Sequence, residues 1–186
     1  MSGKFESEVK EFLADVSSFA NARGGDLLYG VEELDGLAVA LSGVVIPNQD
    51  AFQLEWSDRI RAGIEPRLPR VEWAFVPVHA PDTFVAILRI WPSSIGPHRV
   101  VYRGHGHFYS RAGTAKYRLD VPELRQAFLQ TERLAERIRD FVVERVARIA
   151  SGRTPATLDH LSAVVIHVIP LSAFTSSDRL IQPTQI

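Results

Sequence analysis

The stretch FANARGGDLLYGVEELDG, Phe19 to Gly36, joins two kinds of structure through almost nothing. Upstream, Val9, Phe12, Leu13, Val16, Phe19 and Ala20 recur at spacings of three and four. That is one apolar face of an amphipathic helix, spanning about Glu6 to Ala22. Immediately downstream, DLLYGV, Asp26 to Val31, reads as a short buried strand, and Leu34-Asp35-Gly36 as a turn. Gly24 and Gly25 stand where a helix stops in the left-handed conformation, which glycine adopts without a Cβ clash. A helix that gives way to a strand so quickly must pack its end close to the sheet. The stretch therefore predicts a helix–tight turn–strand corner.

The rest of the chain repeats the mixture. A weaker strand is expected around Leu37 to Val45. Asn48 or Asp50 can cap a helix in which Phe52, Trp56, Ile60 and Ile64 recur every four residues, with Pro66 and Pro69 ending it. Arg70 to His79 and Thr83 to Trp91 read as strands joined at Ala80-Pro81-Asp82. Arg99 to Tyr102 and His107 to Arg111 read as two more, joined through Gly104 and Gly106. Asp120 followed by Glu123 is a capping-box start with Pro122 in the first turn. The helix behind it carries Leu124, Phe128, Ile138, Phe141, Val142, Val146 and Ile149 on one side and should run about 30 residues, roughly 45 Å. Ala163 to Ile169 reads as a further strand with nothing after it to pair it, as if a larger protein had been cut there.

Charge is distributed unevenly. From Thr83 to Leu119 there is no Asp or Glu, while Arg89, Arg99, Arg103, Arg111, Lys116 and Arg118 all fall there, with His98, His105 and His107. Those six positive charges leave −7 for the remainder of a chain whose net charge is −1. Two readings are open, solvated strand faces or a basic surface for a polyanion, since clustered positive charge attracts phosphates and releases counterions. The absence of cysteine excludes disulfides and thiolate metal sites and suits a reducing cytoplasm. The N-terminal run lacks the apolar core of a signal peptide, and no apolar run reaches the roughly 20 residues of a membrane span. A soluble, cytoplasmic protein without a membrane partner is expected.

The order of these elements resembles the AlbA-like DNA-binding domain of bacterial Schlafen-type proteins. The resemblance covers about Glu6 to Phe128, and its specific parts are FANARGGDLLYGVEE and HFYSRAGTAKY, with support from GIEPRLP. It implies an α/β (α+β) fold, a mixed curved sheet of about six strands flanked by helices, here followed by the long C-terminal helix. Residues 1–128 would form this domain, and 129–186 the helix continuation and a strand opening a further region. The role it implies is nucleic-acid binding in a bacterial regulator or defence protein.

Some Schlafen relatives cut transfer or ribosomal RNA with a three-carboxylate metal site, two acids in an E-S-x-x-x-E-F motif and the third after the GV of the strand. Glu6 and Glu11 in ESEVKEF have that spacing, and Glu32 and Glu33 follow Gly30-Val31. In the family, however, the first motif is a strand well upstream of the FAN helix. Here Phe12 lies on the helix's own apolar stripe, so Glu6 and Glu11 read as polar residues on its surface. A metal-dependent endoribonuclease using Mg²⁺ or Mn²⁺ stays an alternative; otherwise no cofactor and no metal site are expected. A third reading is a protein-interaction module, with a homodimer as one form, built on the long helix.

Other chemistry is poorly represented. There is no G-x-x-x-x-G-K-[ST], and Gly24-Gly25 close a helix C-terminus, whose dipole repels phosphate. His98, His105 and His107 lack acidic neighbours and suit a basic, partner-facing role better than a metal. The segment RAGTAKYR offers guanidinium, ammonium, hydroxyl and bare amides in one short turn, all good phosphate ligands. Arg99, Arg103, Arg111, Thr114, Lys116 and Arg118 are therefore the expected nucleic-acid contacts, with Tyr102, Tyr109 and Tyr117 interleaved for base stacking. None of these groups is placed to read base edges, so binding should be weakly sequence-specific.

Overall fold

A computed structural model describes residues 2–153, 164–170 and 172–175. It divides into two compact units, Met1–Phe128 and Leu129–Ile186.

In the first unit, helix α1 (Ser2–Ala20) is the central element. Its apolar stripe is buried, with Val9, Leu13 and Val16 at zero exposure, Phe12, Ala14 and Ala20 close to it, and Phe19 half-buried at its end. The stripe packs between two antiparallel sheets. The first contains β1 (Gly25–Tyr29), β4 (Val44–Val45), β6 (Val71–Pro77) and β7 (Thr83–Ile90). Strand β7 is its spine: β6 runs along one edge, while β1 and β4 share the other, Tyr29 facing Ala86 and Val44 facing Phe84. The second sheet has the order β10 (Ala115–Arg118), β9 (His107–Ala112), β8 (Arg99–Val100), β5 (Ile64–Glu65). Helix α2 (Gln49–Gly63), capped by Asn48 Oδ1 accepting from Ala51 N–H, covers the aromatic end of the core, where Phe52, Trp56, Trp73 and Phe75 meet tilted, edge to face or stacked.

The double glycine does what the sequence predicts. Gly24 takes φ +75 and its N–H returns to the Phe19 carbonyl at 2.9 Å. A Cβ there would sit 2.6 Å from the Ile90 carbonyl oxygen, and one on Gly25 would strike the Phe19 ring. The helix end thus lies directly on the sheet because neither residue has a side chain.

The mixed α/β class and the long helix stand; the strands number ten among the described residues, all paired antiparallel, in three sheets. Two elements depart from expectation inside this unit. Glu32–Leu34 (β2) pairs with Leu37–Ala40 (β3) as a separate two-stranded ribbon, and Ala115–Arg118 forms a strand where a turn was expected. The adjacent glutamates of β2 break apolar alternation, and β10 turns its charged residues rather than its apolar ones to α1; cross-strand pairing decides both.

Helix α3 (Val121–Ala150) starts with the expected capping box: Glu123 N–H donates to Asp120 Oδ1 at 2.8 Å and Asp120 N–H to Glu123 Oε2 at 2.9 Å. Its first turns belong to the first unit, where Phe128 meets Phe108 edge to face at 6.0 Å. In the second unit Phe141 meets Phe174 of the short helix α4 (Ser172–Thr175) at 5.5 Å. The strand expected over 163–169 is corrected: residues 164–170 have no regular structure and are largely exposed, with Ala163 outside the described residues. Its β-branched run gives strand propensity, but no neighbouring strand among the described residues supplies the ladder hydrogen bonds that propensity needs. No described helix is long and apolar enough to cross a membrane.

Candidate nucleic-acid interface

Strands β9 and β10 set the site. Their register places Arg111 opposite Lys116 and Tyr109 opposite Arg118, so all four side chains share the face turned to α1. Ser110 and Tyr117, opposite one another, point to the other face together with Phe108.

Facing α1 has a consequence for the basic residues. Arg111 Nη1 donates to Asp15 at 3.1 Å, its Nη2 to the Thr114 carbonyl at 2.8 Å, and its guanidinium lies 4.1 Å over the Phe19 ring. Lys116 Nζ sits between Glu11 at 2.5 Å and Asp15 at 3.1 Å. Both cationic side chains are only 16% exposed. The two residues most suggestive of phosphate contact are thus tied, from 96 to 105 positions away, to carboxylates on one turn of α1. Arg103 pairs with Glu6 at 2.5 Å and Arg99 with Glu65 at 2.8 Å, but their own side chains remain 60% and 45% exposed. Such surface pairs are worth about 0.2–1 kcal/mol and exchange readily for a phosphate.

Arg118 differs. It is exposed, lies 6.0 Å over the Tyr109 ring, and makes no ion pair among the described residues. Next to it on the same face is His107, whose ring is 6.1 Å from that of His105 and 6.3 Å from that of Tyr109. Desolvation, then the positive charges of Arg118, His105 and Lys10, holds the His107 ring below the ordinary histidine value. Four basic side chains from α1, the 103–106 loop, β9 and β10 therefore converge on one surface. Lys10, on the polar face of α1, was not legible as part of it: it lies 97 positions from His107, and only the docking of α1 on β9 brings it there. Arg103 takes φ +48 in the loop between them, an uncommon conformation for a residue with a Cβ.

Other expected groups are placed differently. His98 is corrected: it is fully buried, not partner-facing, because β8 runs under α1. Its N–H donates to Asn21 Oδ1 at 2.7 Å, and Asn21 Nδ2 donates to the carbonyls of His98 and Tyr109, both at 2.8 Å. Its Nδ1 lies 2.6 Å from the Pro66 carbonyl, which fixes the proton there and leaves Nε2 bare and buried. Desolvation pushes this ring below the ordinary histidine value. Tyr109 is also buried, so of the three tyrosines only Tyr117 is well exposed, on the face away from Arg118. Glu6 and Glu11 lie on α1 in the pairs just described, and Glu32 and Glu33 are exposed on β2. Among the described residues no three His, Asp or Glu side chains gather as a metal site.

Residues 2–120 match the family model described as Schlafen, AlbA_2. No curated protein and no solved structure matches the chain.

Proposed function

The chain belongs to the Schlafen, AlbA_2 family, and from that premise we propose that it binds nucleic acid through the phosphate backbone, at the surface formed by Lys10, His105, His107 and Arg118. Family membership suggests a nucleic-acid-related function at the coarse level. The observation that carries the finer reading is the placement of four basic groups from separate elements: His107 lies 6.1 Å from the His105 ring and on the strand face that Arg118 shares, and after desolvation the charges of Arg118, His105 and Lys10 hold its ring below the ordinary value. Lys10 and Arg118, neither in an ion pair among the described residues, create a positive potential that a phosphate relieves, and the two imidazoles beside them offer it N–H donors.

Arg103 extends the surface, since an exposed ion pair yields to a competing anion at little cost; Arg99, opposite Phe108, lies on the other face of the sheet and is not part of it. Arg111 and Lys116 act as positioning residues: held by Asp15 and Glu11, they fix the hairpin that presents Arg118. Thr114 contributes through its carbonyl, which anchors Arg111. Two separated cations with two imidazoles between them suit phosphate contacts, which position a nucleic acid without reading its sequence. With Tyr109 buried, Tyr102 half-buried and Tyr117 on the opposite face, none of the three tyrosines offers single strands a well-exposed stacking platform on this face.

Labelled transfer RNA, duplex DNA and single-stranded DNA, titrated without added metal, test this reading. The Lys10→Ala/Arg118→Ala variant should weaken all the ligands it binds by about tenfold, with little change in their ranking. Unchanged affinity in that variant would place the binding surface elsewhere.

A further inference from the structure

The β2–β3 ribbon belongs to neither four-stranded sheet. It leaves the first sheet at Gly30 and returns at Gly43, whose N–H donates to the Gly30 carbonyl at 2.9 Å. Its register is unusual. Leu34 faces Leu37, Glu33 faces Ala38 and Glu32 faces Ala40, with a bulge between Glu32 and Glu33. Partners across a ladder share a face, so the bulge puts both adjacent glutamates on the alanine side. The other side carries Leu34, Leu37 and Val39, with Leu41 next in the alternation. All four are well exposed, between 58% and 70%. Leu28 and Val45, on the strands leading into and out of the ribbon, are exposed as well.

A two-stranded ribbon is marginal in water unless its apolar face is covered. We propose that this face is a self-association surface, covered by the same ribbon of a second copy of the chain. Charge decides the occupant. Glu32, Glu33 and Asp35 oppose a polyanion. A cationic partner would seat on the acidic side and leave the leucines bare. The surface that fits is uncharged, flat and apolar, and the ribbon itself is one. A two-fold contact joins both leucine faces and leaves both sets of glutamates outside the seam, so like charges do not meet.

The size of the contact sets its strength. Aliphatic side chains bury roughly 60–120 Å² each, so the four of the ribbon face, at their 58–70% exposure, bring on the order of 300–700 Å² to the pair. That is the scale of a weak, transient association, not an obligate dimer.

Sedimentation equilibrium of the full chain, from micromolar to near-millimolar concentration, tests the surface without nucleic acid. The average mass should rise from 20.7 kDa towards twice that value. Leu37→Glu/Val39→Glu should hold the mass at the monomer value throughout, while Glu33→Gln on the opposite side should leave association intact. Should the double variant alter the circular dichroism, Leu37→Ser carries the same test. A wild-type chain that stays monomeric overturns the proposal. So does association that survives the apolar-face variants, which places the contact elsewhere. Binding to neutral phosphatidylcholine vesicles that the same variants abolish would assign the face to lipid instead. Nucleic-acid affinity should be unaffected by these variants, so the two proposals fail separately.

Discussion

Asn21 holds the backbone of His98 from both sides, accepting from its N–H at 2.7 Å and donating to its carbonyl at 2.8 Å. The same amide also donates to the Tyr109 carbonyl. One side chain at the end of α1 thus ties together β8 and β9, the strands that lead to the basic surface. Asn21→Ala would leave these backbone groups without partners, at a cost of about 2 kcal/mol. Urea unfolding should show the midpoint falling at constant m-value. An unchanged midpoint would mean that the amide is dispensable.

Burial of His98 links stability to pH. The folded ring resists protonation, so below the ordinary histidine value of about 6.5 the unfolded chain binds more protons than the folded one. Stability is then complete above that pH and declines as the pH falls from it towards the lower folded value. Thermal melts between pH 5 and 8 should show this decline, and His98→Gln should flatten it even where it lowers the melting temperature overall. Parallel pH profiles for the two proteins would remove His98 from the account.

Arg111 and Arg118, close together on one face, should respond oppositely to mutation. Arg111 is mostly buried and tied to Asp15 and the Thr114 carbonyl, so Arg111→Ala should cost about 1–3 kcal/mol of stability. Arg118→Ala removes an exposed cation with no ion pair among the described residues and should stay within about 0.5 kcal/mol of wild type. It should nevertheless lose nucleic-acid affinity. Melting temperatures and binding measured on the same samples separate the two roles. A folded, stable Arg111→Ala would contradict the positioning role.

What the sequence made legible follows from local physics. The α1 stripe, the Gly24–Gly25 corner and the Asp120/Glu123 box depend on residues within a few positions of one another, so periodicity and capping chemistry reveal them. Strand β10 was hidden because it is only four residues long and its alternation is inverted, Lys116 and Arg118 taking the face turned to α1 and Tyr117 the outer one; it is a strand because β9 offers it a ladder. Strand β2 was hidden by its glutamates, which a bulge turns away from the apolar side. The site suffered most, since its electrostatics are non-local. A segment free of acids suggested a free basic surface, yet Arg111 and Lys116 meet Asp15 and Glu11 from the other end of the domain. Lys10 entered the cluster, and His98 left it, by the same helix docking.

The most direct test of the central claim is the salt dependence of nucleic-acid affinity in wild type and Lys10→Ala/Arg118→Ala. Each phosphate contact contributes a slope of about 0.7–0.9 in log affinity against log salt. The account predicts a steep decline for wild type and a slope shallower by about one to two in the variant, whose two removed cations would each have released a counterion. Identical slopes, or no binding of any of these ligands at low salt, would contradict it.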